Sequence, residues 1–165
     1  MKTEELIDLL KRAVADEWLA HFQYWAGAQV SVLPLDPFTA KDYMQHANMV
    51  RELVQHAQDE YDHATALGAR ISELKSRPPL TFREVMTNHF CGYMAPLNPS
   101  PFRILDQNIE GESCAIKFYT ELSDKVKDFD PATFKVLQPI LEKEKEHKAD
   151  LQKVRKGVEA LMPHG

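Results

Sequence analysis

The chain has 165 residues, 44% of them hydrophobic and 27% charged, with 6 Gly and 10 Pro. That length suits about one domain with its own core, and the composition excludes disordered, collagen-like and membrane-embedded classes. With 20 Lys and Arg against 25 Asp and Glu, the formal charge is −5, which gives no general attraction for nucleic acid or an anionic membrane surface.

Helical periodicity recurs in four long blocks separated by Pro-containing breaks, and no β-type alternation of useful length interrupts it. The opening Met1-Lys2-Thr3-Glu4-Glu5 has no basic leader region and runs straight into the first block. That block spans Thr3 to Val30, with Thr3 as N-cap and Glu4 and Glu5 in the first turn. The second begins at Asp36-Pro37, a cap followed by Pro at the first helical position, and runs to Lys75. The connection from Ser76 to Pro101 is too long to be structureless, and Thr81-Phe82-Arg83-Glu84 reads as a capping box that starts a short helix ending near Phe90. The third long block follows Pro101 and ends near Lys127. The fourth begins at Asp130-Pro131 and ends before Pro163, with Pro139 predicting a kink or a frayed first turn. The expected fold is all-α: a single domain over residues 1–165, a four-helix bundle with a long crossover connection that contains a short helix.

Each long block carries a carboxylate where core should be. On the first, Leu10, Ala13, Val14, Ala20, His21 and Tyr24 form a stripe that includes Glu17. On the second, Glu60 and His63 share a face with Leu53, His56, Ala57, Ala64, Leu67 and Ile71. The third places Glu112 with Leu105, Ile109, Ala115, Ile116 and Tyr119, while Glu110 falls on the wet side. The fourth repeats Glu-x-x-His as Glu144 and His147 among Leu137, Ile140, Leu141 and Leu151.

A buried ionised carboxylate without a partner costs several kcal/mol, so four would rival a domain's whole stability of roughly 5–15 kcal/mol. No Lys or Arg occupies these stripes near the carboxylates, which leaves protonation or bound metal. One Glu-x-x-His alone is ordinarily solvated surface, and Glu142, Lys143, Lys145, Glu146 and Lys148 give the second copy such a setting. Six residues on the inward stripes of four separately delimited helices are a different matter: two divalent ions balance four carboxylates and two imidazoles complete their coordination. Oxygen-rich ligation with one imidazole per ion suits iron, with manganese possible, better than thiolate-bound zinc.

Glu17, Asp59-Glu60-x-x-His63, Glu112 and Glu144-x-x-His147 together resemble the ferritin-like superfamily, in its bacterioferritin-related, Dps-like branch, over essentially the whole chain. The resemblance implies that Glu17 and Glu112 are terminal or bridging ligands alongside Glu60, His63, Glu144 and His147, with two Fe per subunit. Tyr24, a heptad beyond Glu17, matches a tyrosine beside the di-iron centre of bacterioferritins. Their haem-ligating Met follows the second-helix Glu, where this chain has Tyr61, so no haem is expected. Termination soon after the fourth helix and a short helix in the crossover imply a homo-oligomer of Dps type, a dodecameric shell. An intrasubunit centre in a Dps-like chain with two cysteines also resembles the thioferritins, in which a cysteine pair near the metals is associated with peroxide chemistry.

Cys91 and Cys114 are too few for a disulfide framework or a Cys-rich zinc site; as residues they read equally well as small buried hydrophobes, and the thioferritin pattern makes them candidates for that pair. His21 and His56 flank the carboxylates, either as donors to ligands or as core histidines satisfied by carbonyls. Trp18, Phe22 and Trp25 form an apolar strip that either contacts another subunit or widens the core face.

The expected activity is a ferroxidase that oxidises Fe(II) with H2O2 or O2 for iron detoxification, storage and protection from oxidative stress. The alternatives are a di-iron or di-manganese peroxidase or catalase without mineral storage, and Dps-style DNA protection, which the absence of a Lys-rich N-terminal arm disfavours. No apolar run is long enough to span a bilayer, and a cytoplasmic, reducing location is expected by default.

Overall fold

A computed structural model describes residues 1–32 and 39–160. Five helices follow one another: α1 (Thr3–Val30), α2 (Ala40–Glu73), α3 (Phe82–Thr87), α4 (Pro101–Val126) and α5 (Pro131–Glu159), with no strand among the described residues. Thr3 is the first helical residue rather than the cap, a place taken by Lys2 with no side-chain hydrogen bond. The Asp36-Pro37 start expected for the second block lies outside the described residues. Within them, α2 opens on a capping box in which Thr39 accepts from the Asp42 amide and the Asp42 carboxylate accepts from the Thr39 amide. The Thr81/Glu84 box opens α3 as expected, but that helix stops at Thr87, three residues short of Phe90, because the chain turns there to meet α1.

Helix α5 is unbroken through Pro139. Pro139 and Lys135, whose carbonyl loses its helical partner, both lie on the exposed face, where water takes the freed acceptor. At the other end Asp130 caps the Thr133 amide at 2.9 Å, and Arg70 from the last turn of α2 donates to Asp130 and to the Thr133 hydroxyl. One guanidinium therefore ties the end of α2 to the start of α5.

The long helices pair α1 with α2 and α4 with α5, and the pairs pack face to face. The core falls into two large parts and a small third one of Ala15, Leu19 and Val85, where α3 meets α1. Of the large parts, one, around Leu6, Leu10, Leu67, Tyr119, Leu122 and Leu137, fills one end of the bundle; the other, around Tyr24, Met49, Leu53, Ile104, Leu105 and Leu151, fills the opposite end. The inward carboxylates lie between them. Trp18, Phe22 and Trp25 are 38%, 49% and 48% exposed, so the strip widens the surface and not the core.

Glycine marks the closest approach of α1 to α4: a Cβ on Gly27 would sit 2.8 Å from Ile104 Cγ2, in fully buried surroundings. On Gly68 the added atom would meet Pro78 at an ordinary 3.8 Å. Gly27→Val is expected to cost about 1–3 kcal/mol by overpacking, whereas Gly68→Ala is expected to stabilise by about 0.5–1 kcal/mol through helix propensity. Thermal unfolding of the two variants checks both signs.

Candidate metal centre

The four helices bring all six predicted residues to one place. Glu17, Glu60, Glu112 and Glu144 are 1–3% exposed, His147 is 1% and His63 is 8%. They form two groups of four, Glu17, Glu60, His63 and Glu144 in one and Glu60, Glu112, Glu144 and His147 in the other, each with ligand atoms within 4.8 Å of one another. Glu60 and Glu144 belong to both. The grouping could hold two cations with two shared carboxylates, and Glu17 and Glu112 each fall in one group only.

Both imidazoles turn Nδ1 inward. That of His63 lies 3.0 Å from Glu144, 3.1 Å from Glu60 and 3.3 Å from Glu17; that of His147 lies 3.3 Å from Glu60 and 3.7 Å from both Glu112 and Glu144. Yet His147 Nδ1, Glu60 Oε1, Glu112 Oε2 and Glu144 Oε1 are buried and form no hydrogen bond among the described residues. Buried polar atoms that face one another without a hydrogen bond fit a cation, since such groups otherwise find partners. The donor set, oxygen-rich with one imidazole per position, fits iron or manganese.

Tyrosines hold the outer carboxylates crosswise. The Tyr24 hydroxyl of α1 donates to Glu112 of α4, and the Tyr119 hydroxyl of α4 donates to Glu17 of α1. Tyr24 stands seven residues after Glu17 and Tyr119 seven after Glu112, so the two halves of the site are related by an approximate two-fold. Reading Tyr119 only as part of an apolar stripe missed its role; the repeated heptad spacing was the signal. Asp59 was missed as well. Its carboxylate lies 3.0 Å from His147 Nε2 and orients that ring, and Lys143 stands 3.8 Å from it at the rim. His21 Nδ1 meets the Ala57 carbonyl at 2.6 Å, a histidine satisfied by backbone, while His56 stacks on His147 with ring centroids 4.1 Å apart. Tyr61 is 42% exposed and packs edge-on against Trp18.

The cysteines are joined: Cys91 in the connection and Cys114 on α4 form a disulfide, with Cα atoms 5.8 Å apart. Asp16, one residue before Glu17, accepts from the amides of Phe90, Cys91 and Gly92 at 2.8, 2.7 and 3.2 Å, and Gly92 supplies the positive φ of 83° that this turn needs. A cavity of about 40 Å³ runs from Cys91 to Glu17, Tyr24, Glu60, Glu112 and Glu144, room for roughly two or three water-sized molecules.

Electrostatics match the geometry. Burial, with the neighbouring Glu144 and Glu60, pushes the Glu17 carboxyl well up, and burial with Glu144 does the same to Glu112. Burial also acts on Glu60, but the approach of His147 and His63 outweighs it and holds that carboxyl down. Burial would lower both histidines; Glu144, Glu17 and Glu60 instead raise His63 to about 12, and Glu112, Glu144 and Glu60 raise His147 further. Burial and crowding thus make Glu17, Glu112 and the two histidines hold protons more tightly than they do in water.

The ferritin-like domain family matches residues 7–160 of this sequence. The chain belongs to the ferritin-like family. The bacterioferritin-related dodecameric thioferritin of Bacteroides fragilis is 31% identical, superposes with a TM-score of 0.87, and the match covers 98% of this chain and 90% of that one. Bacterioferritin of Rhodobacter capsulatus, at 21% identity and a TM-score of 0.75 over 98% of this chain and 90% of that one, shares the fold. The DNA protection during starvation protein of Pyrococcus furiosus is 28% identical over 93% of this chain and 78% of that protein. Among the described residues no helix is long and apolar enough to cross a membrane.

His63, raised to about 12, carries a proton at neutral pH on a ring that faces the carboxylates, and a divalent ion at that ring must displace it. Binding is therefore expected to release protons and to tighten as pH rises from 6 to 8. Calorimetry in two buffers of different ionisation enthalpy reads the proton count; equal heats in both would remove the protonated cluster from the account.

Proposed function

We propose that the chain is a ferroxidase that binds two Fe(II) through Glu17, Glu60, His63, Glu112, Glu144 and His147 and passes their electrons to H2O2 or O2. The observation that carries this reading is the pair of four-residue groups that share Glu60 and Glu144. Iron here is substrate: it supplies the electrons, and the protein supplies charge balance and open coordination. Glu60 and Glu144 span the two positions and fix their separation. Tyr24 and Tyr119 orient Glu112 and Glu17 by hydrogen bonds, and Asp59 orients His147. The cavity from Cys91 to the carboxylates admits a molecule the size of the oxidant.

Storage follows if copies of the chain enclose a volume, and we propose a dodecameric shell in the cytoplasm, serving iron detoxification and protection from oxidants. Supporting it are the exposed strip of Trp18, Phe22 and Trp25 and the likeness to a dodecameric thioferritin. A net charge of −5 supports leaving direct DNA binding out of the proposal.

One observation favours a second reading, a peroxidase: the disulfide opens onto the same cavity as the carboxylates. In its dithiol form the pair gives two electrons and two protons to H2O2, yielding two waters and the disulfide, which a dithiol reductant then restores. Aerobic Fe(II) loading followed by size-exclusion chromatography separates the readings. Tens of iron atoms per chain in a large particle support storage; about two, the content of one dinuclear site, with catalytic loss of added H2O2, support peroxide turnover without storage; none overturns the ferroxidase reading. Glu60→Ala with His63→Ala is expected to slow Fe(II) oxidation by more than about 100-fold, since even groups that merely orient a ligand are worth 10–100-fold, and stopped-flow absorbance reads it. A wild-type rate in that variant would rule out this centre.

A further inference from the structure

A second cluster lies beside the centre on the seam between α2 and α5. Glu52 and His56 stand one turn apart on α2 and Asp150 faces them from α5; one carboxylate oxygen of each acid and one imidazole nitrogen lie within 4.8 Å of one another. None of the three belongs to the six residues assigned above. His56 is 2% exposed, and its Nδ1 is buried with no hydrogen bond among the described residues. A buried ring nitrogen without a partner is an exception to the way buried polar groups behave. Its ring is held in place without hydrogen bonds, face against His147 at 4.1 Å and edge-on to Tyr24 at 5.2 Å.

The acids are equally uncommitted. Asp150 makes no hydrogen bond or ion pair among the described residues. Glu52 meets only Arg51, at 3.4 Å, and that side chain is 71% exposed, so the contact is a solvated surface pair of little worth. Among the described residues, two carboxylates thus approach each other beside a buried imidazole without a close ion pair to Asp150, whose nearby base, Lys143, acts on it only through space.

We propose that Glu52, His56 and Asp150 bind one divalent cation, separate from the pair held by the six inner residues. Two oxygens and one imidazole nitrogen suit Fe(II), Mn(II) or Zn(II), and solvent at exposed Asp150 completes the shell with water. The ion's charge offsets the two acids, and the ring stack places it one imidazole from His147. That position makes it a waiting place for a third Fe(II) beside the dinuclear cluster; this role rests on the ferroxidase reading, whereas binding does not.

Redox-inert Zn(II), equilibrated by dialysis against the metal-stripped full-length protein and counted per chain, tests binding alone. About three ions are expected in the wild type, one per cluster position, and one fewer in Glu52→Gln/Asp150→Asn. His56→Phe keeps the stacked shape, removes both nitrogens, and is expected to lose the same ion. Glu60→Gln/His63→Ala is expected to retain the seam ion while losing the inner ones. A count unchanged by Glu52→Gln/Asp150→Asn, or by His56→Phe, overturns the proposal. A wild type that binds a single ion, lost in both seam variants, upholds it and overturns the dinuclear reading instead.

Discussion

Four carboxylates buried at the waist of a helical bundle are the constraint on which the rest of the structure depends. Each interrupts an apolar stripe, and each would be ruinous alone, because the interior cannot solvate a free charge. The two core clusters on either side gain from closing around the site only if the charge at the waist is neutralised. Under the proposed function two cations neutralise it, so the same residues that make the bundle costly would make it responsive to metal.

The site's symmetry explains how so few residues suffice. Helices α1 and α2 contribute a lone Glu with a Tyr seven residues on, and a Glu-x-x-His; α4 and α5 contribute the same pieces again. The crossed bonds of Tyr24 to Glu112 and Tyr119 to Glu17 couple the helix pairs through their most polar members. The equivalence breaks next to the Glu-x-x-His motifs, where Asp59 precedes Glu60 but Lys143 precedes Glu144. Among the described residues, only His147 therefore has its outer nitrogen held by a carboxylate, and only the α2/α5 seam beside it carries the further cluster of Glu52, His56 and Asp150.

Much of this was legible in the sequence, and for a physical reason. Helical period is set by backbone geometry, so Glu17, Glu60, His63, Glu112, Glu144 and His147 could be placed on inward faces without knowing how the helices pack. What depends on crossing between helices was not legible: Tyr119 looks apolar until Glu17 is seen opposite it, and Asp59 looks solvated until His147 arrives from α5. The connection was least legible of all. It has no period, and its course is fixed by Asp16, whose three amide contacts no pattern announces. Pro139 does not end α5, which continues through it with Pro139 and Lys135 on the exposed face.

The grip of Asp16 on the connection has a consequence for the cysteines. Three amide hydrogen bonds, made at and beside Cys91, anchor that residue to α1 independently of its bond to Cys114. Breaking the sulfur–sulfur bond therefore does not release a free loop end; Cys91 remains tethered opposite the α4 turn that carries Cys114. The thiols then face each other at a high effective concentration, and the entropy of bringing them together has been met in advance by a carboxylate on a different helix. Reclosure becomes an event between neighbours, on the wall of the cavity that leads to the carboxylates.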